Sequence, residues 1–238
     1  MEPTDHNLRA FEEAHRRRAR AGGGRGLPDQ VRPLLPDVNG KHVLHLQCGM
    51  GDETAELAKL GALVTGVDIS SEALVLAHEH APRAAFVQAD VQTLPVELRR
   101  GRFDFVYTGG GVLAWLHDLD AWAHGIVAAL RPGGELLLYD AHPASQCLDV
   151  SLRWRDDYFD ESVEVGVGWT HFRLSGPAAT EEKHERFWRL GEVVTAVAHA
   201  GLLIRSLEEL PSFYPRDLSR VHDRRVPGEF LLRAAKPS

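Results

Sequence analysis

The sequence predicts an α/β protein built on a doubly wound, mostly parallel sheet with helices on both faces. Three observations carry that prediction. Short apolar runs of strand length alternate with segments of helical period across residues 41–143. Glycine turns follow the first and fourth of these runs, at the sheet edge where open α/β folds place their ligands. The 238 residues, 44% hydrophobic and 26% charged, suit one such domain with a modest insertion.

The elements follow in order. Residues 7–20 are expected to be helical, with Leu8, Phe11 and His15 toward one face. The basic run RRRAR (16–20) and the flexible AGGGRG (21–26) come next, then Pro28, Pro33 and Pro36. HVLHLQ (42–47) is strand-like, and DETAELAKLGA (52–62) is helix-like with Gly61 as its stop. LVTGVDI (63–69) is a strand, followed by a helix over 70–81 with Ser70 or Ser71 as N-cap. AAFVQADV (84–91) and FDFVYTG (103–109) are strands. Residues 117–134 carry Leu119, Trp122, Ile126 and Leu130 at helical spacing and end in Pro-Gly-Gly. ELLLYDAHP (135–143) is an apolar strand, after which the rhythm breaks. Residues 144–187 show no clean period and read as an irregular insertion after strand five. A helix over 187–202 and strands over 203–210 and 228–236 close the chain. Residues 1–40 therefore form an N-terminal helix and connector, and residues 41–238 the main domain.

Composition narrows the function. The net charge of −7 argues against nucleic acid as a partner. No apolar run reaches a membrane span, and the N-terminus lacks a signal-peptide core, so a cytoplasmic protein without membrane contact is expected. Two cysteines, Cys48 and Cys147, without C-x-x-C spacing give neither a disulfide framework nor a cysteine metal site. The thirteen histidines form no H-E-x-x-H or H-x-H motif usable on a helix, and no metal site is assigned.

Four strand ends carry suggestive chemistry. Gly49 and Gly51 in QCGMG let a ligand approach the backbone. Asp68 ends the second strand, where a carboxylate can accept from both hydroxyls of a ribose; capping the next helix is its other reading. Asp90-Val91 suits an adenine, the acid accepting from the exocyclic amine; a solvated loop aspartate is its other reading. Thr108 to Gly111 expose backbone carbonyls that can hold an ammonium. A dinucleotide loop would want G-x-G-x-x-G, and residues 49–54 read GMGDET, with two acids that would oppose a pyrophosphate.

In this combination the chain resembles the class I S-adenosylmethionine-dependent methyltransferases. HLQCGMG, GVDIS, ADV, FDFVYTGGGVL and LRPGGELLLYDAHP carry the likeness over roughly residues 40–142. The HLQC form is similar to that of a bacterial small-molecule branch. The resemblance implies a Rossmann-like, seven-stranded sheet. It implies S-adenosyl-L-methionine as cofactor, contacted by Gln47, Gly49, Gly51, Asp68, Ile69, Asp90, Val91, Thr108 and Gly109. His45 and Cys48 are expected to be structural. The implied reaction moves a methyl group to nitrogen or oxygen of a small molecule, as in specialised metabolism. A general base is needed only for an acceptor that must lose a proton early.

His142 and His117 are the candidates for such a base, each with a structural alternative in a turn or helix start. Trp115, Tyr158, Trp169, His171 and Trp188 are the candidate acceptor contacts, and aromatic packing explains them equally well. The N-terminal helix with Phe11 and the insertion 144–187 are expected to cover cofactor and acceptor. A monomer or homodimer is anticipated. The competing readings are a nicotinamide-dependent oxidoreductase and a non-catalytic cofactor-binding module.

Overall fold

The computed structural model describes residues 1–18, 26–149, 151–169, 178–211 and 226–238. Its elements are α1 (Pro3–Arg18), β1 (His42–Leu46), α2 (Asp52–Lys59), β2 (Leu63–Asp68), α3 (Ser71–His80), β3 (Ala85–Gln88), β4 (Phe103–Gly109), α4 (Leu119–Ala129) and β5 (Leu130–Ala141). After these come α5 (Pro143–Gln146), β6 (Glu164–Val167), β7 (Glu182–Glu185), α6 (Leu190–His199), β8 (Leu203–Leu210) and β9 (Glu229–Ala235).

Seven strands form one sheet in the order β3-β2-β1-β4-β5-β9-β8. The five strands from β3 to β5 are parallel, and β9 enters antiparallel between β5 and β8. Strand order reverses at β1 and β4, so their carboxyl ends open a crevice between them. The two-residue pleat sends alternate side chains to opposite faces, and both faces are covered. Leu44, Leu46, Val106, Leu136, Leu138, Phe230 and Leu232 pack with Trp122, Ile126 and Val197 on one side. Val43, Phe105, Tyr107, Leu137, Tyr139 and Leu231 pack with Leu57 on the other.

Helix starts follow side-chain capping. Ser70 accepts from Ala73 N and starts α3; Asp118 accepts from Ala121 N and fixes the start of α4. The fourth helix ends earlier than its apolar spacing predicts. Leu130 is extended (φ −70, ψ 137) and begins β5, and Pro132 disfavours any return to helical backbone at Arg131. The last helix begins at Leu190 rather than 187, where the Glu192 carboxylate takes the Arg189 N–H at 2.9 Å.

The segment with no readable period contains the short helix α5 and the hairpin pair β6–β7. These strands have neither regular alternation nor a buried face, which is why their pattern was silent. Helix α1 packs on this hairpin and on α3. Asn7 makes both bonds of a clamp, donating to His184 O at 2.8 Å and accepting from His184 N at 2.7 Å. Glu12 accepts from Ser71 N and Oγ at 2.6 and 3.1 Å, at the start of α3. Among the described residues, no helix is long and apolar enough to cross a membrane.

Candidate active site at the carboxyl edge of the sheet

The loop after β1 turns through three left-handed residues, Gln47 (φ 53), Gly49 (φ 51) and Gly51 (φ 79). The two glycines have different reasons. A Cβ on Gly51 would lie 2.9 Å from Ala77 Cα and Cβ, so this glycine lets α3 close on the loop. A Cβ on Gly49 would meet nothing within 4 Å, so that residue faces open space. Gln47 accepts a strained backbone, and its side chain braces the neighbouring loop. Nε2 donates to Val112 O at 2.9 Å, and Oε1 accepts from Thr108 Oγ1 at 3.3 Å. The amide predicted to meet a ligand is thus engaged by the protein itself.

Asp68 sits at the end of β2, nearly buried, and bridges the loop after β1 to the start of α3. Oδ2 accepts from Gly49 N at 2.8 Å and Oδ1 from Ser70 N at 2.9 Å. Burial pushes its carboxyl up, and these backbone donors pull it back. Ile69 follows, its carbonyl accepting from Gln88 Nε2 at 3.1 Å. Asp90 accepts from Gln92 N at 2.9 Å, and Val91 behind it is buried. Gly109 ends β4 where a Cβ would lie 2.8 Å from Tyr139 O, so only glycine fits between the two strands.

Four residues that the sequence reading did not single out knit these ends together. Gln92 Oε1 accepts from both His117 N and Asp118 N at 2.7 Å, tying the third strand's loop to the fourth's. Asp140, buried near the end of β5, accepts from Val112 N, Leu113 N and Ala141 N at 2.9, 2.8 and 2.7 Å. Burial raises its carboxyl to about 6 against those donors. An acid inside the apolar run ELLLYDA was the available signal, since a buried carboxylate requires partners. Glu53 lies beneath the loops, its Oε2 3.7 Å from His45 Nε2. Burial pushes it up to about 8; the Tyr107 hydroxyl lowers it, and Asp52 and Glu56 raise it. His45 is buried beside it, its Nδ1 2.8 Å from Thr54 Oγ1, and burial drops its pKa to about 3. It is a neutral packed residue, as expected, and Cys48 is buried with its thiol pushed up. Arg186 is the fourth, and belongs to the cavity.

That cavity, about 180 Å³, opens beyond β4 and β5. Gly110, Gly111, Trp115, Asp140, Lys183, Arg186 and Trp188 are among its lining residues. Trp115 donates Nε1 to Gly111 O and meets Phe11 of α1 edge-on at 4.8 Å. Trp169 lies 4.9 Å from Phe11 and 5.2 Å from Trp115. Trp188 donates Nε1 to Leu116 O at 2.9 Å. The structure therefore brings Trp115, Trp169 and Trp188 to one region. Tyr158 stands apart, its hydroxyl accepting from Leu190 N at 3.3 Å, and His171 lies outside the described residues.

Neither candidate base is among the residues lining the cavity. His142 Nδ1 accepts from Ala144 N at 3.1 Å as the cap of α5, and Nε2 lies 2.9 Å from Glu209 Oε1. His117 Nε2 lies 3.3 Å from Asn7 Nδ2, and burial lowers its pKa. Among the described residues, His6, Glu182 and His184 could gather around a metal ion. The two imidazoles stack at 4.2 Å and 22°, however, so their in-plane lone pairs run side by side instead of converging.

Residues 43–134, which hold the glycine loop, Asp68, Asp90 and the turn after β4, match the family described as "Methyltransferase domain". This segment is similar to known methyltransferase domains. An uncharacterized methyltransferase of Synechocystis sp. is 38% identical over 114 residues, 46% of this chain and 51% of that protein. A trans-aconitate 2-methyltransferase of Delftia acidovorans is 32% identical over 106 residues, 44% of this chain and 39% of that protein. The chain thus spans about half or less of the length of these curated relatives. An S-adenosylmethionine dependent methyltransferase from Mesorhizobium loti shares the fold at a TM-score of 0.63 and 21% identity, over 87% of this chain and 96% of that one. In the matched segment the loop after β1 carries His45, Gln47, Gly49 and Gly51.

The family's cofactor is S-adenosyl-L-methionine, and the residues present fit it. Gly49 leaves room above the loop, while Asp52 at the start of α2 is the wrong charge for a pyrophosphate. A cationic nucleoside without phosphate suits this donor set.

Proposed function

We propose that the protein is an S-adenosylmethionine-dependent methyltransferase acting on nitrogen or oxygen of a small molecule. The observation that carries this reading is the convergence of Gly49, Asp68, Asp90 and the Thr108–Gly111 turn on one crevice, with an aromatic cavity beside it. In this reading Asp68 holds the ribose, Asp90 with Val91 the adenine, and the turn after β4 the methionine amine. Gln47 acts one step back, by fixing the β4 loop against the β1 loop.

The bound cofactor supplies an activated methyl group, so the chain's own task is alignment and exclusion of water. Helix α1 contributes to both. It lies against Trp115 and Trp169 through Phe11 and is held to β7 by Asn7. Residues 1–40 and the insertion 144–187 then act together as a cover for the crevice. Since His142 and His117 are engaged elsewhere, an acceptor that arrives ready to react suits the cavity best. The trans-aconitate methyltransferase relative is consistent with a small-molecule acceptor. A role in specialised metabolism, in the cytoplasm and as a monomer or homodimer, completes the proposal.

Calorimetric titration with S-adenosylhomocysteine and with NADH tests it. Binding of the first and not the second is expected, and Asp68→Ala should weaken the first at least thirtyfold. An NADH-only response would overturn the reading, and an unchanged affinity in Asp68→Ala would overturn the ribose assignment.

A further inference from the structure

Of the two cations on the cavity wall, Lys183 and Arg186, only Arg186 has no carboxylate within ion-pair distance among the described residues. Asp140 is satisfied by three backbone N–H groups. Lys183 is ion-paired with Glu185 and lies over the rings of Trp115 and Trp169, at 5.9 and 5.7 Å. The Arg186 guanidinium carbon instead rests 3.8 Å above the Trp188 ring, with no carboxylate within ion-pair distance among the described residues. Both members of this stack are anchored. Arg186 N donates to Ala114 O at 2.9 Å, and Trp188 Nε1 to Leu116 O at 2.9 Å.

A guanidinium centred 3.8 Å over an anchored ring makes its contact through carbon and still carries a planar fork of N–H donors. That fork matches a carboxylate with two parallel hydrogen bonds. The rest of the wall, Leu113, Trp115, Phe187 and Trp188, is apolar or aromatic. A single guanidinium beside Asp140 and Glu185 suits one negative charge better than the two of a phosphate monoester. The cofactor of the proposed reaction is cationic at sulfur, and a second cation as acceptor would be repelled by both charges.

We infer that the cavity is a subsite for an acceptor bearing a carboxylate, held by the Arg186 side chain against Trp188, with the acceptor's apolar part between Trp115 and Phe187. The inference deepens the methyltransferase reading and rests on it for the word acceptor. It also accounts for a cavity without a free base: a molecule that enters already ionised brings its own charge to the site.

The test is calorimetry on protein saturated with S-adenosylhomocysteine, using a panel of aryl and alkyl carboxylates, each paired with its primary amide, together with phenyl phosphate. Phenylacetate against phenylacetamide is the reference pair. The carboxylates are expected to bind at least tenfold more tightly than their amides. Arg186→Gln should erase that preference, Arg186→Lys should restore part of it, and neither should change S-adenosylhomocysteine affinity. Equal binding of acids and amides across the panel would overturn the subsite. So would a preference that survives Arg186→Gln, or tighter binding of phenyl phosphate than of phenylacetate. If S-adenosylhomocysteine itself fails to bind, the methyltransferase reading falls. The acid–amide comparison, run on the cofactor-free protein, then still decides the carboxylate site.

Discussion

Glu53 makes the folded protein pay a pH-dependent penalty that Glu53→Gln should remove. Its carboxyl rises from 4.5 to about 8 because it is buried beneath the loops, with neutral His45 and the Tyr107 hydroxyl as neighbours. Because the folded value lies above the unfolded one, the folded protein keeps a proton that the unfolded chain has already lost. Stability therefore falls as pH climbs from 4.5 to about 8, and the full penalty holds above that. At roughly 1.4 kcal/mol per pH unit the ceiling is ~5 kcal/mol. The side chain retains about a fifth of its exposure, so some water reaches it, and roughly 2–4 kcal/mol is expected. Glutamine reproduces the protonated acid in size and hydrogen bonding. Urea unfolding should thus find Glu53→Gln and wild type within about 1 kcal/mol near pH 5, and the variant more stable by roughly 2–4 kcal/mol near pH 8.5. His45, neutral when folded, adds a loss of stability below pH 6.5, but it is common to both proteins and cancels in the difference. Parallel pH profiles, or a variant less stable than wild type near pH 8.5, would refute the reasoning.

Three further outcomes follow from the geometry. Asn7→Ala removes both bonds to the His184 backbone and should speed hydrogen exchange across α1 and β7, by about 1–3 kcal/mol of local stability, while β1 and β4 stay protected. Gln92→Ala leaves the His117 and Asp118 amides without their shared acceptor and should lower global stability by about 2–4 kcal/mol in urea; a loss under 0.5 kcal/mol would contradict the bridging role. The two loop glycines should separate. Gly51→Ala drives a methyl into Ala77 and should destabilise by at least ~2 kcal/mol, whereas Gly49→Ala should cost only the ~1 kcal/mol of its left-handed backbone yet abolish S-adenosylhomocysteine binding.

Much of the sheet was legible because its signals are local. A pleat with a two-residue period, glycines at forced turns and capping residues such as Ser70 all act within a few positions. β4 and β8 ran over the residues their patterns marked. Gly49, Asp68 and Asp90 were nominated by position alone, since open α/β folds place chemistry at the carboxyl ends of their strands, and the structure puts all three at that edge of the sheet. What stayed hidden depends on partners far apart in the chain. Gln92 has nothing in its neighbourhood to announce that it will meet residues 117 and 118, nor does Asn7 advertise a bond to residue 184. Histidines misled in the other direction. His142 stands at a strand end, the right place by topology, yet its ring is used as a helix cap. Arg186 was invisible because its significance lies in having no ion-pair partner among the described residues, and only coordinates can show that.

The antiparallel strand β9 has a consequence for how the protein is made. Among the described residues β8 pairs only with β9, and β5 has β9 as its outer neighbour, so residues 229–235 are the wedge that joins β8 to the rest. Until that wedge emerges from the ribosome, the apolar edge of β5 has no outer neighbour and β8 has none at all. The five parallel strands can assemble before it, but the sheet is sealed only once residues 229–235 are in place. A nascent chain stalled short of residue 229 would present an open strand edge to its neighbours, the moment at which chaperone binding would matter most.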